Sequence, residues 1–493
     1  MRCPIRPSAR LPGRRRRARP TRAQRGAVAV IVAAMVVVIL GVCGMAIDLG
    51  LMYNRRVEMQ NLADAAALAA AGELDGTAAG VTRAMASAAT VANTFKYRYT
   101  QSVTWSDAAL KFGSDPAARA GDWVTGDMAR SAPQARLFAR VDTLALDRSI
   151  GLVKTIFMNV VAAGQEAVLQ GYATAGRMGV KVAPLAICAL APARAAARTT
   201  DAGQELVEFG FRRGIGYDLM QLNPHGTTPA NFVVNPFAPP GMPGTSGATS
   251  PVIVGPYICT GTMSMTRVTG GNLTVGRPFP LASLVNQLNS RFDDYSTKSC
   301  SRFSAPPDAN VKAFQYTAIP WMSTPPLGQS AASFDADGAL RTVADISPAP
   351  GGNTAAMYGP LWINAKAVPF SAYVAGVPEP GGGYATFAST AWANLYKPGQ
   401  PGASGYPVTT PYLASSGANF TAPSTTIRAQ RNRRVLNVVL LACPVAPGTT
   451  VQAAPLGVAR FFMTVPATST TLHAEFAGVV DDAALATSTG LFP

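Results

Sequence analysis

The feature that most constrains this chain is a run of 21 residues, Ala27 to Ile47, without a charged side chain. At about 1.5 Å of rise per residue it would form a helix of roughly 31 Å, which matches the hydrocarbon thickness of a bilayer. From Asp48 to Ala71 charges enter an Ala-rich pattern that keeps helical spacing, so the helix is expected to continue out of the apolar layer. Everything beyond it must then lie on one side of a membrane.

The flank of the run sets the orientation. The formal net charge is +16, and Arg2, Arg6, Arg10, Arg14, Arg15, Arg16, Arg17, Arg19, Arg22 and Arg25 supply most of it, with no acid before Asp48. Cationic residues beside an apolar span resist translocation and favour the anionic inner leaflet, which places the N-terminus in the cytoplasm and the body outside. No aromatic residue interrupts this tail, so a nucleic-acid partner is not expected.

A cleaved signal peptide, cut after Gly44-Met45-Ala46, is the competing reading. The apolar run is longer than an ordinary h-region, and the helical pattern crosses the supposed site without a break. A lipoprotein signal at Cys43 is opposed by Val42, where a small residue is needed. The run is therefore read as a retained anchor in the inner (cytoplasmic) membrane.

That topology puts Cys3 inside, Cys43 within the span, and Cys188, Cys259, Cys300 and Cys443 in an oxidising compartment. Four cysteines allow three pairings, and spacing alone leaves all three open. The favoured set is Cys259 with Cys300, closing a local loop, and Cys188 with Cys443, tying the end of the chain to its middle. Reduced, buried thiols are the alternative.

After the span, Met52, Met59, Ala63, Ala66 and Ala70 recur at helical spacing. Small side chains give this stalk a flat surface that either a partner helix or the chain's own body could cover, and the first option allows an oligomer through the stalk. The residues here also carry a resemblance. Arg25-Gly26-Ala27, then Ala46-Ile47-Asp48-Leu49-Gly50, Tyr53, Arg56, Gln60-Asn61 and Ala63-Asp64-Ala65-Ala66 through Ala71 resemble the N-terminal region of TadG-like proteins of the bacterial Tad (Flp) pilus-assembly system. The resemblance implies a single-pass membrane protein, accessory to pilus assembly, with pilin-like membrane partners. It covers about a tenth of the chain. Pilin-like relatives carry Glu five residues after a processing Gly; here Ile31 stands at that distance from Gly26, which argues against cleavage and against incorporation as a pilin subunit. The metal site of a von Willebrand A-type domain, found in some relatives, would fall at Asp345-Ile346-Ser347-Pro348-Ala349, but the second Ser is missing and no metal is expected there.

The body reads as α+β, loop-rich and strand-dominated, since 46 Gly and 39 Pro interrupt its apolar segments. Strands are expected at Lys96 to Trp105, Ala135 to Val141, Glu166 to Ala173, Val180 to Leu190 and Gly270 to Val275. Three more are expected at Arg433 to Leu441, Val458 to Val465 and Leu472 to Val480. The apolar stretch Ile150 to Val161 reads as a helix covering the first sheet, and Leu281 to Phe292 as another helix. Within Glu205 to Asn223, Phe209, Phe211 and Tyr217 are expected in a core with Arg212 and Arg213 at its rim. The resulting organisation is a basic tail (1–25), an anchor (26–50), an Ala-rich stalk helix (51–95), a first extracytoplasmic part (96–235), a Gly/Pro-rich loop (236–256) and a second, β-rich part (257–493).

Nothing in the chain assembles a catalytic motif. His225 sits in a turn and His473 on a strand with Glu475, too few ligands for zinc. The pairs Asp293-Asp294 and Asp481-Asp482 are adjacent in sequence, so their side chains diverge and are expected in solvent. No cofactor is implied. The expected function is non-enzymatic pilus assembly through protein contacts; a hydrolase without a recognisable motif and a carbohydrate-binding adhesin using exposed aromatics near Tyr217 or Trp392 are the alternatives.

Overall fold

The computed structural model describes residues 24–492 except 75, 99, 115, 117–118, 134–135, 159–165, 226–229, 245–246, 323–331, 335–339, 343–357, 397–401, 403 and 426–427. The Asp345 segment lies outside the described residues. The first element is one continuous helix, α1, Gln24–Glu73. A second helix, α2 (Ala78–Thr94), turns back and packs against it. The stalk expected as a single helix over 51–95 is thus a helical hairpin. Its turn is written in Gly76, which takes φ +84°, and in Thr77, whose hydroxyl accepts from Gly80 N at 2.9 Å as an N-cap.

The hairpin lies on a four-stranded antiparallel sheet with the order Thr489–Phe492, Tyr172–Arg177, Phe138–Asp142, Leu110–Gly113. The period of two sends Ala139 and Val141 toward the helices, while Arg140, between them, stacks its guanidinium 3.7 Å from the Trp123 ring. The last strand of the chain thereby completes a sheet begun near residue 110.

The larger sheet has eight strands in the order Gly216–Asp218, His473–Val480, Pro455–Met463, Val435–Leu441, Leu185–Cys188, Asn231–Val234, Leu273–Gly276, Thr450–Ala453. Every pair is antiparallel except Val435–Leu441 with Leu185–Cys188. Both faces are buried. Leu436, Val438 and Leu440 enter one apolar cluster and Val439 and Leu441 the other, as a near-continuous apolar strand in mid-sheet requires. Strands from both sides of residues 236–256 enter this sheet.

Several expected elements differ: Lys96 to Trp105 holds two short strands, Lys96–Tyr97 and Gln101–Ser102, paired with each other, and Glu166 to Ala173 divides between Glu166–Val168 and Tyr172–Arg177, which join different sheets. The end of the expected loop 236–256 is instead the start of a helix, Pro251–Thr260, begun by Pro at its first turn and stopped by Gly261 at φ +74°. The stretch expected as a helix from Ile150 is a helical turn, Arg148–Gly151, followed by a strand, Leu152–Lys154, which pairs with Glu166–Val168 as a hairpin. Short apolar runs satisfy either period, and the ladder decided this one.

Candidate functional site at the helix–body junction

α1 lives in two environments. From Val28 to Leu49 nearly every side chain is exposed, including Val30, Val37 and Leu40 at 61–70%. From Met59 on, one face is sealed: Met59, Leu62, Ala63, Ala66, Ala67, Ala70 and Ala71 are all fully buried. The helix over Val28–Glu73 is long and apolar enough to cross a membrane, and almost none of its most apolar stretch is covered by the body.

The first two covered residues are Gly44 and Asp48, one turn apart on a single face. The same face continues through Arg55 and Met59. Asp48 accepts three consecutive backbone N–H groups, Ile156 at 2.9 Å on Oδ1, and Phe157 at 2.9 Å and Met158 at 2.7 Å on Oδ2. The ring of Phe157 rests on the bare backbone at Gly44, where an added Cβ would meet its Cγ at 2.5 Å. This carboxylate therefore latches the tip of the Leu152–Lys154 hairpin to the helix at the point where the helix becomes apolar all round.

Further along, Arg55 pairs with Glu58 at 2.5 Å, and Glu58 accepts from Arg98 N at 3.2 Å. Gln60 docks on a strand end. Its Nε2 donates to Tyr172 O at 2.9 Å and to Asp64 Oδ1 at 2.7 Å, while its Oε1 accepts from Tyr172 N at 3.3 Å. Gly171 makes this approach possible, because a Cβ there would lie 2.0 Å from Met59 O. Ala63, Ala66 and Ala70 then pack on Val81, Ala84, Ala88, Val141, Ala173 and Ala175. The Ala face, considered as a surface for a partner helix, is covered by the chain's own body. Arg177 finishes the contact by donating to Gly72 O at 2.5 Å, placing a cation at the C-terminal end of α1.

Of the other residues singled out, Gly26 lies near the start of α1, Gly50 has open space around it, and Tyr53 is 69% exposed. These three are not drawn into the latch. Sequence reasoning missed the partners of Asp48 and Gln60, which lie about a hundred residues away, at an apolar, uncharged hairpin tip and at the start of the strand Tyr172–Arg177.

Both disulfides, Cys188–Cys443 and Cys259–Cys300, are formed with Cα atoms 5.7 Å apart. Among the described residues Cys43 is free and exposed on α1. Arg212 and Arg213 are not at a rim. Arg212 is fully buried and holds Glu205 at 2.8 Å; Arg213 holds Glu208 at 2.6 Å and Glu379 at 2.7 Å. Phe209, Phe211 and Tyr217 do line the core, with Tyr217 Oη accepting from Arg212 N at 3.1 Å. Tyr217 and Trp392, near which the adhesin alternative looks for exposed aromatics, are themselves 0% and 1% exposed, so neither can stack on a sugar.

An open cleft of about 590 Å³ is lined by Arg213, Lys366, Glu379, Tyr384 and Arg460. Burial pushes the Glu379 carboxyl up, but Arg213 and Arg460 outweigh it and hold it below its ordinary range. Lys366 lies over the Trp362 and Tyr406 rings. Glu475 is committed to the backbone, accepting from the N–H groups of Ile363, Asn364 and Ala365 at 2.6–2.9 Å. Asp293 is not free in solvent, since it accepts from Arg302 at 3.2 Å and Ser424 N at 2.5 Å, and Asp481 pairs with Arg194 at 2.5 Å. Among the described residues no three His, Cys, Asp or Glu side chains are grouped to hold a metal.

No curated protein and no solved structure matches the chain. A family-model match falls within α1, and it spans the bare half, the Asp48 latch and the buried Ala face together. Residues 26–73 match the family model Tad, described as putative Flp pilus-assembly TadE/G-like, so α1 is the chain's Tad domain.

Proposed function

We propose that the protein is a non-enzymatic, single-pass accessory component of Tad/Flp pilus assembly, anchored in the inner membrane with its N-terminus in the cytoplasm and its disulfide-bonded body outside. The observation that carries this reading is the division of the Tad domain into an apolar half left bare and an Ala-rich half sealed into the body. The arginine flank supports the orientation, and two disulfides suit an oxidising compartment. Because Ala63, Ala66 and Ala70 are occupied, contacts with pilin-like membrane partners fall to the bare stretch from Val28 to Ile47, where helices associate by close packing.

A photo-crosslinking residue at Val37, in membranes of cells assembling the pilus, tests this. Adducts with small membrane proteins of the pilus machinery are expected, whereas the same residue at buried Ala66 should give none. Adducts from neither position would sink the reading.

A further inference from the structure

We propose that the hairpin tip beside Asp48 is a second membrane contact: Ile156 and Phe157 enter the outer interfacial layer of the bilayer next to α1, so that the body is held to the membrane at two points. This rests on the reading of α1 as an anchor and extends it to a part of the chain that the family match does not cover.

Four observations meet here. Gly44, on which the Phe157 ring rests, lies three residues inside the uncharged run that ends at Ile47, hence about 4.5 Å below its outer end. Ile156 and Phe157 are 60% and 39% exposed, although each is apolar and its backbone is fixed by Asp48. The sequence from Thr155 to Gln165 contains no charged residue, and the first charges on either side, Lys154 and Glu166, face each other across the hairpin at 3.8 Å and are both well exposed. Finally, Tyr53, 69% exposed and about 7.5 Å beyond Asp48, takes the headgroup level on the same helix, where aromatic belts lie.

Lipid is the occupant that continuity demands. The bare faces of α1 around Gly44 are those that the bilayer covers in an anchored chain, and Phe157 occupies the remaining face at the same depth. The latch thus has a mechanical consequence. A helix alone leaves the body free to tilt, whereas a helix with a latched apolar tip a few ångströms away fixes which side of the body faces the membrane.

The test uses the full chain with Cys3→Ser and Cys43→Ala, disulfides intact, in phosphatidylcholine/phosphatidylglycerol vesicles. A nitrobenzoxadiazole label is placed through Val37→Cys, Ile156→Cys or, as an aqueous control on the 96% exposed Val408, Val408→Cys. Quenching by lipids with a nitroxide near the headgroup is compared with quenching by iodide. The label at 156 is expected to be quenched by shallow nitroxide lipid several-fold more than the label at 408, and to lose most of that difference on adding Asp48→Ala. If 37 is quenched by lipid while 156 behaves like 408, this proposal fails and the anchor stands. If 37 is open to iodide, the anchor reading itself fails. A label at 156 shielded from both quenchers would mean protein cover and would also overturn the proposal.

Discussion

Replacing Asp48 with Ala removes the acceptor for three backbone N–H groups at 2.7–2.9 Å. A hydrogen bond to a charged partner contributes about 1.5–3 kcal/mol net of exchange with water. In the interfacial layer the freed N–H groups of Ile156, Phe157 and Met158 still reach headgroup oxygens and water, so a lower value of about 1 kcal/mol per bond applies, or about 3 kcal/mol for the set. At 1.4 kcal/mol per factor of ten, the opening equilibrium of the tip rises roughly 150-fold. Amide hydrogen exchange on the full chain in nanodiscs reads this directly. Protection at Ile156, Phe157 and Met158 should fall by about two orders of magnitude in Asp48→Ala and by less in Asp48→Asn, which keeps one acceptor oxygen. Strand residues Ala139 to Val141 should be unaffected, because they are held by a separate ladder. Unchanged exchange at the tip would refute the latch; loss of protection in both places would show that Asp48 supports the body as a whole instead.

Three further outcomes follow from the same geometry. Gly171→Ala places a Cβ 2.0 Å from Met59 O, forcing the strand from the helix, and should lower the stability of the body by about 2 kcal/mol in denaturant unfolding; a neutral result would contradict the close approach. Arg434 is fully buried among Phe292 and Phe462 and donates to the carbonyls of Asn310, Lys312, Met463 and Thr464, so Arg434→Met should cost about 3–5 kcal/mol, well beyond an exposed control such as Arg428→Met. Burial raises the Glu475 carboxyl from 4.5 to about 7 despite its three N–H donors. A raised acid binds its proton more tightly folded than unfolded, so its contribution is complete below pH 4.5 and is lost as pH rises through about 7. The unfolding midpoint of the wild type should therefore fall between pH 5 and pH 8 relative to Glu475→Gln, and parallel curves would refute the assignment.

What the sequence made legible followed periodicity. The strand expected from Arg433 to Leu441 appears as Val435–Leu441, and the last two expected strands appear as Pro455–Met463 and His473–Val480. Their alternation or continuous apolarity is set by the sheet they join, so local pattern and tertiary environment agree. The apolar length of α1 was legible for the same reason. The break at Gly76-Thr77 and the helix from Pro251 were written in turn and cap residues, but an Ala-rich pattern and a Gly/Pro-rich composition masked them.

The rest depended on contacts distant in sequence. Nothing near Asp48 reveals that it meets Ile156 to Met158, nor does the neighbourhood of Arg212 show that burial with Glu205, rather than solvent, awaits its guanidinium. A buried ion pair is tolerated only because the fold supplies the partner, and the fold is not visible in a local window. The same holds for the Ala face. Small residues signal close packing, but α2 and the four-stranded sheet, rather than a second protein, supply the packing.

The central claim, that α1 crosses the membrane and holds a disulfide-bonded body on its outer side, is tested most directly by protease treatment of spheroplasts carrying a C-terminally tagged chain. The tag is expected to be lost from intact spheroplasts while the chain resists carbonate extraction, and to be protected in inverted vesicles. A tag protected in spheroplasts and cut in inverted vesicles would contradict the orientation, the redox argument and the proposed role together.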